Sequence, residues 1–216
     1  MRVAASAIAV LAAVLVLAGC SAFSSSSTPE DLSGRALAPG DFPFGPANRI
    51  PTAQVPGILA DITLRPLSGD VDPSRCTPAG VQTGNAVVLV GPGGTDGMST
   101  LTSAVTQTAE SFDEFVGAAR DCASFRTGAT GAQTVTTDIV EGPETTDPVP
   151  TVHLRRTLAS TGDQGPPTVI EEWVAQGGDV RVYVQDRRTG GTMTPDEAQK
   201  AEDLFAAART KAFGRA

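Results

Sequence analysis

The first 19 residues constrain the fold more than any other part of this 216-residue chain. Met1 and Arg2 give a short positive start, and Val3–Leu17 is almost wholly apolar, with Ser6 as its one polar residue. This run is shorter than the about 20 residues that span a bilayer, and it matches the core of a removable export signal. Residues 1–19 are therefore predicted to take no part in the folded domain.

The end of this signal, Leu17–Cys20, resembles the lipobox of bacterial lipoproteins. The resemblance implies that the Cys20 thiol is diacylated and that cleavage makes Cys20 the first residue. Two acyl chains would hold the chain on the outer face of the cytoplasmic membrane, in the cell envelope, without help from protein charge. An ordinary secretory signal with a chance cysteine, or an uncleaved membrane anchor, is the alternative.

Residues 21–48 are rich in Ser, Pro and Gly and contain few apolar residues. Such a composition is typical of a flexible tether. Phe42 and Phe44 lie between prolines, and docking of these two rings on the domain is the alternative. The predicted organisation is a signal over residues 1–19, a lipidated Cys20 with its tether to residue 48, and one domain over residues 49–216.

The composition excludes several classes of function. The net charge is −8, and loss of Arg2 with the signal would make it more negative by one. This charge argues against nucleic acid as a partner and against electrostatic binding to anionic lipid. One His and three Cys leave too few ligands for most zinc sites, so no metal and no cofactor are predicted.

With Cys20 assigned to the anchor, Cys76 and Cys122 remain. Export permits disulfides, so these two are predicted to form a structural disulfide. A redox-active pair or a metal site would be the functional alternative, but the sequence has no C-x-x-C motif.

Local patterns predict an α+β domain with the order α-β-β-α-β-β-β-β-α. Its mostly antiparallel sheet would have about six strands, with two or three helices packed on one face. Ser111 with Glu114, and Thr194 with Glu197, have the spacing of helix capping boxes. Gly177-Gly178 is a hairpin signal. The predicted helices are Thr52–Asp61, Ser111–Cys122 and Thr194–Ala212; the predicted strands are Ala86–Val90, Met98–Thr108, Gln133–Val140, Thr151–Ser160, Thr168–Gln176 and Asp179–Arg187.

Charged residues on the predicted strands form the one candidate site, a charged cleft made by His153, Arg155, Arg156, Glu171 and Arg181. Structural ion pairs are the simpler interpretation. The apolar–polar alternations of the neighbouring strands do not agree with one another. They place Glu171 among apolar neighbours, so either a bulge intervenes or this carboxylate is partly buried beside Arg156. Glu171 and Glu172 are adjacent on a strand and point to opposite faces, so they cannot form a catalytic dyad.

The whole pattern resembles actinobacterial cell-envelope lipoproteins and the extracellular sensor domain of the PknH-type mycobacterial kinases. Segments 111–115 and 121–125 and the closing Leu204-Phe205 carry most of the resemblance, which covers about residues 50–213. It implies a ligand-binding or sensor-like module with a cleft. The anchor, the tether and the missing set of catalytic residues predict that this module is membrane-anchored and is not an enzyme. An accessory or scaffold subunit of an envelope complex is the alternative. An envelope hydrolase is a weaker one, because the chain has no G-x-S-x-G motif and His153 is its single histidine.

Overall fold

The computed structural model describes residues 30–95, 97–128, 132–144, 148–162 and 165–214, with the backbone alone for 142–144. The predicted signal, Cys20 and residues 21–29 lie outside the described residues. Within the described ranges, no helix is both long enough and apolar enough to cross a membrane.

Eight strands form one sheet in which every neighbouring pair is antiparallel, in the order β1-β2-β3-β8-β7-β6-β5-β4. The predicted α+β class and antiparallel sheet are confirmed, but the predicted number of about six strands is too low. The two additional strands are the shortest ones, β1 and β4. The strands are β1 Asn48–Arg49, β2 Val87–Pro92, β3 Ser99–Gln107, β4 Ser124–Thr127, β5 Gln133–Glu144, β6 Thr151–Ser160, β7 Thr168–Gly177 and β8 Val180–Thr189.

Among the described residues, three α-helices accompany the sheet: α1 Val55–Thr63, α2 Phe112–Asp121 and α3 Pro195–Phe213. Both predicted capping boxes are present. The Ser111 hydroxyl accepts from the backbone N–H of Glu114, whose carboxylate accepts from the N–H of Ser111 at 2.8 Å. Thr194 and Glu197 make the same reciprocal bonds at the start of α3. These bonds satisfy amides that have no partner within the helix.

The helices cover both faces of the sheet, so the prediction that they share one face is wrong. Helices α1 and α2 pack on one face against Val174 and Tyr183. Helix α3 packs on the other face against Val182 and Val184. We call these the α2 face and the α3 face. The central strands are apolar on both sides, and each side needs its own cover.

Residues 30–48 lie against the domain, in contrast to the flexible tether predicted for them. Leu32 is 0% exposed and Phe42 is 5% exposed, and both belong to the cluster beneath α3. Nη1 of Arg35 donates to the backbone carbonyl of Ala212 at 2.9 Å. A few widely spaced apolar side chains thus anchor a segment whose overall composition is that of a linker.

The β7–β8 hairpin fixes which side chains share a face. Gly177 pairs with Val180, and Gly178 turns the chain with φ +62°, a conformation that glycine adopts without strain. In this register Trp173 lies opposite Val184, so Glu171 belongs to the α3 face and Glu172 to the α2 face.

Candidate functional site

A pocket opens on the α2 face, between helix α2, residues 75–79 and the strands beneath them. It contains about 580 Å³ of space between atoms, including the part of its mouth that is open to solvent. Its water-accessible interior is about 60 Å³. At about 10–15 Å³ for each water molecule, this interior holds some four to six waters.

Helix α2 supplies one wall of the pocket. Phe115, Ala118, Ala119 and Cys122 line it. Residues spaced by three, four and seven positions lie on one stripe of a helix, so the sequence of α2 itself directs these side chains inward. Phe125 of β4 extends this apolar wall.

A disulfide joins this wall to the opposite one, and the predicted pairing of Cys76 with Cys122 is confirmed. Cys122 caps the end of α2, and Cys76 ends the short 3-10 helix Ser74–Cys76. Both cysteines line the pocket. The crosslink therefore holds the segment around residue 76 beside α2, at a Cα–Cα distance of 5.5 Å.

The floor of the pocket contains a buried ion pair between neighbouring strands. Nε of Arg156 on β6 lies 2.8 Å from Oε2 of Glu172 on β7. Arg156 is 6% exposed and Glu172 is 0% exposed. Although these two atoms are within hydrogen-bond distance of each other, neither makes a well-formed hydrogen bond to a described residue. Burial raises the pKa of Glu172, and the charge of Arg156 opposes this shift.

Arg181, also on the floor, is fully engaged by its neighbours. Its Nε donates to Oε1 of Gln176 at 2.7 Å, and its Nη1 donates to Oε2 of Glu110 at 2.9 Å. Nη2 donates to the backbone carbonyl of Glu110, and the guanidinium lies 4.4 Å from the centre of the Phe115 ring. The charge of Arg181 is therefore neutralised within the protein. Its neighbour Tyr183 is completely buried, and this burial raises the pKa of the phenol.

A second charged group lies on the α3 face. Glu171 accepts from Nε of Arg155 at 2.5 Å, and its other oxygen lies 3.0 Å from Nε2 of His153. The His153 ring stacks on Trp173 with 4.4 Å between ring centres. Burial is the largest single influence and acts to raise the pKa of Glu171, but the bonds from His153 and Arg155 together lower it. No hydroxyl among the described residues hydrogen-bonds to the His153 ring.

The structure thus divides the predicted cluster into two groups. His153, Arg155 and Glu171 lie on the α3 face, whereas Arg156 and Arg181 lie on the floor of the pocket. No bulge interrupts the β6–β7 register, and the carboxylate beside Arg156 is Glu172 rather than Glu171. Arg155 lies opposite Glu171 in this register. Because side chains alternate along each strand, Arg156 and Glu172 then lie together on the other face of the sheet.

Sequence reasoning missed the charged group that Arg188 forms with Asp186 and with the capping residue Glu197. Arg188 of β8 bonds to Asp186 at 2.6 Å and to Glu197 of α3 at 3.1 Å. Burial raises the pKa of Asp186, and the Arg188 charge opposes the change. This group ties the start of α3 to the sheet. Across the described ranges, no group of three or more His, Cys, Asp and Glu side chains is placed to hold a metal.

The solved structures that are similar to this chain include two mycobacterial proteins. No protein-family model matches the chain, and no curated protein matches it. An uncharacterized Mycobacterium smegmatis protein, the Rv0999 ortholog, is similar with 16% identity and a TM-score of 0.41, over 77% of this chain and 85% of that one. The extracellular domain of PknH from Mycobacterium tuberculosis is similar with 12% identity and a TM-score of 0.37, over 76% of this chain and 98% of that domain.

Proposed function

We propose that this protein is a lipid-anchored extracytoplasmic binding module that takes a small ligand into the pocket beneath α2. The pocket combines apolar walls with a small number of polar groups at its floor, which is the usual composition of a small-molecule site. Its walls are held in place by the disulfide and by the strands of the sheet.

The observation that carries this proposal is the buried ion pair at the floor of the pocket. Nε of Arg156 and Oε2 of Glu172 are buried, and each lacks a hydrogen bond to any described residue. Glu172 accepts one long bond from Gln185 at 3.5 Å through its other oxygen, and a buried ion pair with so little support is often less stable than apolar residues of the same volume. Folded proteins rarely keep such groups for stability alone, so a role toward a ligand in the adjoining pocket explains them better.

The anchor is proposed from the residue pattern at Leu17–Cys20. Because residues 30–48 pack on the domain, nine residues separate Cys20 from the described part of the chain. A fully extended chain of that length spans at most about 30 Å. Glu30, where the described part of the chain begins, would then stay within about 30 Å of the membrane surface.

The binding part of the proposal is tested by thermal unfolding in the presence of small neutral, anionic and cationic organic compounds. A binding ligand raises the unfolding temperature. Ala119→Phe would fill the pocket and abolish this rise. Ala207→Phe adds the same side chain to an exposed position of α3 and should leave the rise unchanged. No rise with any class, or a rise that persists in Ala119→Phe, would contradict the proposal.

The anchor is tested separately by expressing Cys20→Ser in an actinobacterial host. The unsubstituted chain should carry radiolabelled palmitate and sediment with membranes. The variant should carry no label. Equal labelling of the two chains would refute lipidation at Cys20 and would leave the binding proposal intact.

A further inference from the structure

The charge of the pocket differs in sign from that of the whole protein. Three arginines line it, Arg75, Arg156 and Arg181, against two glutamates, Glu110 and Glu172. The lining therefore carries one net positive charge, in a chain whose net charge is −8. A positive site within an acidic protein favours an anionic ligand and disfavours a cationic one.

The two buried arginines differ in what they can offer a ligand. Arg181 is held by Gln176, Glu110 and the Phe115 ring, as described above. Arg156 meets Glu172 through Nε at 2.8 Å, and this nitrogen is buried without a well-formed hydrogen bond among the described residues. Arg156 also lines the pocket, and its guanidinium carries further N–H donors on Nη1 and Nη2. Two parallel donors fit the two oxygens of one carboxylate.

The walls restrict what can be attached to that carboxylate. Phe115, Ala119, Phe125 and the disulfide give the interior an apolar surface beside Arg156. Glu172 would repel the second charge of a dianion, which disfavours a phosphate at this floor. A carboxylate with a short apolar group satisfies both the floor and the walls.

We propose that the pocket binds a small organic monocarboxylate, with its carboxylate on Nη1 and Nη2 of Arg156 and its apolar group against α2 and the disulfide. This inference rests on the proposed binding function and names the ligand class of the same pocket. The available interior of about 60 Å³ accommodates the carboxylate and a few carbons, and a longer chain would leave through the open mouth.

The test compares hexanoate with hexanamide, which has nearly the same shape but no charge. Binding to the full-length chain in phosphatidylcholine nanodiscs is measured by isothermal titration calorimetry at pH 7.5. We expect hexanoate to bind at least tenfold more tightly than hexanamide, because only hexanoate adds a negative charge to the positive pocket.

Two neighbouring arginines provide a matched pair of variants. Arg156→Gln should weaken hexanoate binding at least tenfold. Arg155→Gln removes a charge from the next residue, which lies on the α3 face, and should change the affinity less than twofold. If Arg156→Gln does not fold, the double variant Arg156→Gln with Glu172→Gln removes both buried charges together and should bind hexanoate at least tenfold more weakly than Glu172→Gln alone.

The outcomes separate this inference from the function on which it rests. Equal binding of hexanoate and hexanamide, both abolished by Ala119→Phe, would overturn the carboxylate inference and support the binding function. Retention of hexanoate binding in the Arg156 variants would overturn the inference as well. If neither probe binds, and no compound class stabilises the protein, both proposals fail.

Discussion

The disulfide wall of the pocket gives a stability prediction that can be worked out from the structure. Cys76→Ser with Cys122→Ser removes a crosslink between residues 46 positions apart. The loss of loop-closure entropy for that length corresponds to about 4 kcal/mol at 25 °C, and measured losses are often smaller. We therefore expect the free energy of unfolding to fall by about 2–4 kcal/mol.

Besides the disulfide, a bond from the Arg65 side chain to the Pro78 carbonyl and the packing of Val71 beside Phe125 hold the segment around residue 76. The backbones of Asp72 and Arg126 form an isolated bridge, and their side chains form an ion pair at 2.6 Å with both partners more than half exposed. An exposed pair of this kind contributes about 0–1 kcal/mol. Removing the disulfide should therefore loosen this wall of the pocket and weaken hexanoate binding, by at least fivefold.

Urea unfolding followed by tryptophan fluorescence measures the stability change. Trp173 is the single tryptophan of the chain and is buried in the sheet, so its emission reports on the folded core. The chain from Ser21 onward is suitable, and the parent protein treated with a thiol reductant should match the double variant. A loss below about 1 kcal/mol, with hexanoate binding unchanged, would refute the role given to the disulfide.

Two further predictions concern the adjacent glutamates. Glu172→Gln should tighten hexanoate binding at pH 8. A ligand carboxylate about 6 Å from the Glu172 carboxylate is repelled by about 3 kcal/mol at an effective dielectric of 20. Removing this repulsion corresponds to a gain of up to about a hundredfold in affinity. Because burial raises the pKa of Glu172, calorimetry should find that this gain shrinks as the pH is lowered from 8. An equal or weaker affinity of the variant at pH 8 would contradict the argument. Glu171→Gln should make the free energy of unfolding less sensitive to acid. The pKa of Glu171 is lowered in the folded state, so the stability that this carboxylate contributes is present above its ordinary pKa of 4.5 and is lost as the pH falls below that value. Urea unfolding at pH 7 and pH 4 should show a larger loss of stability for the parent than for the variant, and equal losses would be the opposing result.

Local signals in the sequence predicted most of the elements correctly. The capping boxes at Ser111 and Thr194 and the Gly177-Gly178 turn are set by bonds between near neighbours in the chain, so a single sequence reveals them. Strand β4 was missed because Phe125 is its one apolar residue. Docking of Phe42 and Phe44 was only the alternative in the sequence analysis, and Leu32 was missed, because these apolar residues are isolated within a polar, proline-rich stretch.

The site depended on strand register, which the sequence constrained less well. A slip of one residue exchanges Arg155 for Arg156 and Glu171 for Glu172, and it moves each side chain to the other face. The sequence also did not reveal that the helices pack on both faces of the sheet. The alternation of β8 shows that Val182 and Tyr183 point in opposite directions, but it does not show which helix covers either of them.

The most direct test of the account is a crystal structure of the protein with saturating hexanoate. The account predicts the ligand carboxylate within about 3 Å of Nη1 and Nη2 of Arg156, with the apolar chain between Phe115 and the Cys76–Cys122 disulfide. An empty pocket, or hexanoate bound elsewhere on the protein, would contradict it.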